Sequence, residues 1–321
     1  MTDLSFLELI APELGKVERL LRDHPPGQHD AISRAVDHLV EGGGKRLRPR
    51  LALLSARLCG ADIDRAVYAA AAAEMLHTAT LVHDDLIDGS LVRRGVETIN
   101  AHWTPAATIL TGDYIFARAA FLVAQANSIR LTERFAQTLM VICNGEIRQM
   151  FNGQPDEADL AEYERRIYAK TASLIALSAE SGAILAEAGP ERVEALRTYG
   201  ERVGTAFQIV DDVLDFVADE DTLGKPVGSD LRHGLATLPV LLYLEDAPAE
   251  SPVHQVFTGG RSEDVIQGAI AAVAGSQVID EALDIARRHA SGAKKALTDF
   301  PDSRYRSALL ELADFTVDRR F

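Results

Sequence analysis

The sequence predicts an all-α fold, on three observations. Ala and Leu abound while aromatic residues make up only 6% of the chain, a balance that favours helix over sheet. Apolar residues recur at three- and four-residue spacing through most of the chain, the period of a helix with one buried face. Alternating apolar and polar runs joined by Asn-Gly turns, the mark of strands, are absent.

The first amphipathic helix is expected over residues 4–21, stopped by Pro25-Pro26-Gly27. A second runs to Gly42-Gly43-Gly44, whose three glycines end it. Pro49 stands near the start of the third, where its missing N–H costs little. Residues 64–87 contain an unbroken Ala69 to Ala73 run and read as one long, largely buried helix, with Gly89 as its stop. Further helices are expected over residues 104–126, 131–151, 160–188 and 191–218. Residues 219–236, holding Gly224, Pro226, Gly228 and Gly234, read as the main irregular stretch. Another loop is expected near residues 249–260, and shorter helices complete the chain. No composition shift or fixed-period repeat divides it, so a single domain over residues 1–321 is expected.

A chain of 321 residues can bury a large core. Its 48 acidic residues outnumber 33 basic ones, for a net charge of −15, which argues against nucleic acid as a partner. No apolar run approaches the length of a membrane span, and the N-terminus lacks a basic region ahead of an apolar one. A cytoplasmic protein without an integral membrane segment is expected. Cys59 and Cys143 both lie in apolar helical patterns and read as buried small hydrophobes, not as a disulfide.

Two aspartate clusters carry the chemistry: Asp84, Asp85 and Asp88, then Asp211, Asp212 and Asp215. In each, the first and last Asp are four residues apart and share one helix face. Carboxylates this close repel unless a cation neutralises them. Hard oxygen ligands suit Mg²⁺, which is commonly shared with substrate phosphates. Apolar flanks (Leu81 and Val82; Phe207, Ile209 and Val210) put both clusters at the edge of a core. One such cluster alone would most often be a solvated charged face; two on apolar helices point to a site. Lys45, Arg46 and Arg48 beside the triple glycine, Arg93 and Arg94 after the first cluster, and Lys170 and Lys225 supply cations suited to diphosphate.

With these residues in place the sequence resembles the trans-isoprenyl diphosphate synthases of the polyprenyl synthetase family. The matching stretches are GGGKRLRPRL (42–51), EMLHTATLVHDDLIDGSLVRRG (74–95), GDYIFARA (112–119), GEIRQM (145–150), KTASL (170–174), FQIVDDVLDF (207–216) and GKPVGSDLRHGLATLP (224–239). They occur in family order and span most of the chain. The resemblance implies an isoprenoid synthase helical bundle around a deep central cavity, acting as a homodimer. Asp84 and Asp88 would hold two Mg²⁺ and Asp211 a third, with Asp85, Asp212 and Asp215 as nearby metal ligands or water-mediated supports. Arg93, Lys170 and Lys225 would bind the allylic diphosphate. Lys45, Arg48, His77 and Arg94 would bind isopentenyl diphosphate, while Thr171 and Gln208 would offer oxygen dipoles to an allylic cation. His77 by itself would more often be a hydrogen-bonded core histidine. One departure is visible: Leu235 stands where many short-chain members carry a second Lys.

Product length should depend on what blocks the cavity beneath the first cluster. Thr80 and Ala79 lie about one helical turn, or about 5.4 Å, deeper than Asp84. Short-chain enzymes of the family commonly place an aromatic ring there. Leu76 and Ala73 lie deeper still, and none of the four is aromatic. With each helical turn adding about 5.4 Å of depth, a medium- or long-chain product of about C30 to C50 is expected. Such a product is strongly apolar, so its release would bring the protein to a membrane surface. A short-chain farnesyl or geranylgeranyl diphosphate synthase, a class I terpene cyclase and a non-catalytic subunit of a heteromeric synthase are the competing readings. A cyclase would usually lack the second DDxxD, and a silent subunit tends to lose Asp clusters; this chain keeps both.

Overall fold

The computed structural model describes residues 8–42, 44–93, 95–152, 160–218, 227–260 and 262–318. In chain order the first helices are α1 (Ala11–Arg22), α2 (Asp30–Glu41), α3 (Leu47–Cys59) and α4 (Ile63–Ile87). There follow α5 (Ile99–His102), α6 (Pro105–Gln125), α7 (Ile129–Asn152) and α8 (Leu160–Ile167). A π-helical turn, Tyr168–Ala172, leads into α9 (Ser173–Leu185) and α10 (Pro190–Val217). The chain ends with α11 (Ser229–Arg232), α12 (Leu238–Asp246), α13 (Pro252–Phe257), α14 (Glu263–Ala274), α15 (Val278–Ala296) and α16 (Arg304–Val317).

Two compact units gather these elements. The first comprises residues 1–139, 174–200 and 296–312; the second comprises residues 140–173, 201–295 and 313–321. In the first unit α4 is the central element, packed by α1, α3 and α6. Its Ala69 to Leu76 stretch is buried on every side, which explains why it shows no amphipathic stripe. Small side chains there let neighbouring helices approach closely. In the second unit a core of Tyr163, Ile209, Val213, Leu238, Ala282 and Ala286 joins α8, α10, α12 and α15. Phe216, Leu231, Val253 and Ile270 belong to an adjoining core around α14.

Caps follow the sequence closely. The side chain of Asp62 accepts from Asp64 N at the start of α4, and Thr104 Oγ1 accepts from Ala107 N at the start of α6. Each cap is worth about 1 kcal/mol.

Five expectations need correction. The single helix expected over residues 160–188 is divided by the π-turn. A two-stranded antiparallel hairpin exists, β1 (Val92–Arg93) with β2 (Val96–Glu97). Two-residue strands are too short to leave an alternating pattern; what made the turn was Gly95, at φ +75°. The loop expected near residues 249–260 contains α13, and the irregular stretch expected over 219–236 contains α11 in its described part, residues 227–236. Cys143 is exposed and Cys59 half-buried; both thiols are free, and burial pushes the Cys59 thiol up to about 11.

Among the described residues one helix, α6, is long and apolar enough to cross a membrane by length and composition, although 44% of its most apolar window is buried. The buried side faces α4. The other side exposes Leu110 and Phe121.

Candidate active site

The first cluster terminates α4. The Asp88 N–H donates to the Asp84 carbonyl at 2.8 Å, so the two residues lie one turn apart on one face. Asp84 is half-buried and Asp88 exposed. Asp85 is different: it is only 4% exposed and accepts from Arg93 Nε at 2.7 Å. Burial pushes its carboxyl above the usual carboxylate range, and the nearby guanidinium only partly offsets that. The short hairpin is what turns Arg93 back onto Asp85. Arg94 lies outside the described residues.

In the same unit, Lys45 is exposed and Arg48 half-buried at the start of α3, and His77 is half-buried on α4. Arg46, between the first two, departs from the sequence reading that grouped it with phosphate-facing cations. It occupies a left-handed backbone conformation, φ 47°, which costs a non-glycine residue about 1–3 kcal/mol. Its side chain turns inward onto Glu18, Glu74 and the Val40 carbonyl. Burial works against its charge, but the two carboxylates outweigh it and hold its pKa above the ordinary value.

The second cluster lies on α10 in the other unit. Asp211 is half-buried, whereas Asp212 is 3% and Asp215 1% exposed. Asp212 accepts from Tyr163 Oη at 2.8 Å and from Gln208 Nε2 at 2.9 Å. Gln208 Oε1 in turn accepts from Thr171 Oγ1 at 2.7 Å. Burial, reinforced by the charge of Asp230, pushes Asp212 up to about 7. Asp215 accepts from the Asp230 N–H at 3.1 Å, and its carbonyl accepts from Gly228 N at 2.7 Å. It therefore anchors the turn that opens α11. Lys225 lies outside the described residues.

The π-turn carries Lys170 and Thr171. Such turns are frequent at functional sites, because the extra residue re-aims side chains. Gly145 on α7 makes room for it: a Cβ at that position would stand 2.4 Å from the Ala169 Cβ. One residue on, Glu146 pairs with Lys170 at 3.3 Å. Gly145→Ala should therefore displace the turn despite a gain of about 1 kcal/mol in helix propensity. We expect a net loss of about 1–3 kcal/mol by overpacking, with a loss of activity from the displaced Lys170 and Thr171. Thermal unfolding and steady-state kinetics check both.

Each cluster thus divides its carboxylates. Asp88 is exposed and Asp84 and Asp211 are half-buried; Asp85, Asp212 and Asp215 are buried, and each accepts from a protein donor. Among the described residues no three His, Cys, Asp or Glu side chains form a closed metal cage. Two carboxylates that are not buried in the first cluster and one in the second fit Mg²⁺, which keeps waters and commonly takes oxygens from a bound phosphate. Sequence reasoning missed Tyr163 and Glu146. Tyr163 carries no local signal, since only the packing of α8 against α10 brings it to Asp212. Glu146 had one, its place in the GEIRQM stretch beside the glycine.

Residues 29–273 match the polyprenyl synthetase family. Octaprenyl diphosphate synthase of Haemophilus influenzae is 36% identical over 316 residues, covering 98% of this chain and 96% of that protein. Heptaprenyl diphosphate synthase component 2 of Geobacillus stearothermophilus is 38% identical, covering 97% of each. The crystal structure of polyprenyl synthase from Caulobacter crescentus, complexed with calcium and isoprenyl diphosphate, superposes with a TM-score of 0.91 at 39% identity. That match covers 98% of this chain and 97% of that one. The fold is accordingly the all-α fold of the isoprenoid synthases. The chain belongs to the polyprenyl synthetase family and is a prenyltransferase.

Proposed function

We propose that the chain is a trans-polyprenyl diphosphate synthase. It condenses isopentenyl diphosphate head-to-tail with an allylic diphosphate and repeats the cycle to a medium- or long-chain product. The observation that carries this reading is the contrast in burial within each cluster, with Asp84 half-buried and Asp88 exposed beside buried Asp85, and Asp211 half-buried beside buried Asp212 and Asp215. Asp84 and Asp88 would hold two Mg²⁺ and Asp211 a third, with Asp85, Asp212 and Asp215 as nearby supports. Bound divalent ions neutralise the departing diphosphate and so favour ionisation of the allylic C–O bond.

The chain's own residues do the rest. Arg93, Lys170 and Lys225 bind the allylic diphosphate; Lys45, Arg48, His77 and Arg94 bind that of isopentenyl diphosphate. Thr171 donates its proton to Gln208, which leaves the hydroxyl oxygen's lone pairs available to an allylic cation. The double bond of isopentenyl diphosphate attacks C1 of that cation. A proton then leaves C2 of the added unit, with the released diphosphate as its base. The medium- and long-chain names of the relatives support the product class. Residues 1–321 act as one catalytic domain.

Purified protein given Mg²⁺, farnesyl diphosphate and labelled isopentenyl diphosphate should release a ladder of polyprenyl diphosphates. Failure to elongate would sink the reading. A second reading, in which the chain elongates only with a partner subunit, is favoured by the component status in the Geobacillus relative's name. Elongation by the chain alone excludes it.

We further propose a homodimer through the exposed face of α6. Leu110 is 66% and Phe121 63% exposed there, and each would contribute about 1.5–3 kcal/mol if buried. Phe121→Glu should weaken self-association about 100-fold or more, since a buried unpaired carboxylate adds to the lost apolar contact. Sedimentation across a concentration series reads the change.

A further inference from the structure

We infer that Arg46 is a positioning residue, whose ion pairs with Glu18 and Glu74 hold Lys45, Arg48 and His77 in register. The inference rests on the reading of those three residues as isopentenyl diphosphate contacts. Arg46 is itself a poor candidate for that contact. Its side chain is 11% exposed, and four of its N–H groups are engaged. Nε donates to Glu18 Oε1 at 2.7 Å and Nη1 to Glu74 Oε1 at 3.0 Å. Nη2 donates to the Val40 carbonyl at 2.9 Å and to Glu18 Oε2 at 3.4 Å. A guanidinium has five N–H donors, so little is left for a phosphate.

What the four bonds achieve is a cross-brace. Glu18 belongs to α1, Val40 to the end of α2 and Glu74 to α4. Arg46 is the N-cap residue of α3, and its left-handed backbone makes the bend between the glycine loop and that helix. Lys45 is its immediate neighbour, and Arg48 follows two residues later on the first turn of α3. Arg50 adds a second tie, donating from Nε to the Lys45 carbonyl at 2.8 Å. Glu74 lies three residues before His77, hence one turn away on the same side of α4. One guanidinium therefore connects the segment bearing Lys45 and Arg48 to the helix face bearing His77.

The pairing is also enforced energetically. Glu74 is 6% exposed and its Oε2 accepts no hydrogen bond, so Arg46 is what compensates this buried charge. A buried carboxylate without its partner is strongly destabilising, and the brace would loosen. A left-handed arginine persists only where its surroundings over-determine it.

The test uses the full-length protein with two variants, Arg46→Met and Glu74→Gln. KM is measured separately for isopentenyl diphosphate and for farnesyl diphosphate, and isopentenyl diphosphate binding is followed by calorimetry. Thermal unfolding identifies folded protein. We expect KM for isopentenyl diphosphate to rise about tenfold or more while KM for farnesyl diphosphate stays within about threefold. Arg46→Lys, which keeps the charge but not the fork, should restore part of the loss. Folded variants in which neither KM moves, or both move equally, overturn the inference. If Arg46→Met does not fold, Glu74→Gln decides on the same criterion. Wild-type protein that elongates but does not bind isopentenyl diphosphate tightly enough for a KM split overturns the brace. Wild-type protein that neither binds nor elongates overturns the site assignment, and the brace with it.

Discussion

Asp84→Asn should lower the turnover of isopentenyl diphosphate by about 10³-fold, with the folded protein otherwise intact. Asp84 is half-buried and lies one turn from Asp88 on a single face of α4. The change removes one unit of charge from the pair proposed to hold divalent ions, while Asn keeps the size of the side chain. Loss of a hard anionic ligand weakens Mg²⁺, and the departing diphosphate then loses part of its neutralising charge. Raising Mg²⁺ should recover only part of the rate, because an amide oxygen cannot restore the missing charge. Asp85→Asn makes the informative contrast. That carboxyl is 4% exposed and spent on Arg93, so its replacement should release Arg93 and raise KM for the allylic substrate. Its Mg²⁺ dependence should change less than that of Asp84→Asn. Equal Mg²⁺ dependence in the two variants would mean that burial does not separate metal-holding carboxylates from supporting ones. Activity titrated against Mg²⁺ at fixed substrate makes the measurement.

Much of this arrangement was legible in the sequence. Helical periodicity placed α4, α6 and α10 to within a few residues, because apolar spacing is a local signal. The four-residue spacing of each Asp pair likewise determines a shared face without knowledge of the fold. What could not be read was which carboxylate of each cluster faces the protein. Asp85 and Asp212 look like their neighbours in the chain, and only Arg93 returning through a two-residue hairpin, or Tyr163 arriving from α8, distinguishes them. Arg46 failed for the same reason: beside Lys45 and Arg48 it is one more cation, until the chain folds and Glu18 and Glu74 claim it. The π-turn escaped because no breaking residue lies within the segment, and the close approach of Gly145 to Ala169 beside it is formed only in the fold. Local signals gave the scaffold; long-range partners assigned the roles.

The same distinction governs product length, where Ala79→Phe and Ala73→Phe should shorten the product to different extents. Ala79 is fully buried and stands five residues before Asp84, roughly 7.5 Å along α4. Ala73 stands eleven residues before Asp84, roughly 16 Å along the helix. Ala73 also borders a small cavity of about 10 Å³, with Ala69, Val123, Phe135, Leu177 and Ser181 among its walls. That volume holds about one water molecule, so it marks a soft spot in the packing and not a finished tunnel. An apolar chain lengthening along α4 would pass Ala79 first and reach Ala73 later. Ala79→Phe should therefore stop elongation early, giving the shorter product. Ala73→Phe should permit several more additions before the ring blocks the path. Both changes overpack a helix interface and should cost about 1–3 kcal/mol of stability, so unequal stability cannot account for an ordered difference in length. Chromatographic sizing of the products from both variants, beside wild type, decides the matter. If Ala73→Phe gives the shorter product, or neither variant differs from wild type, the growing chain does not run along α4. The limit on its length would then lie on another helix.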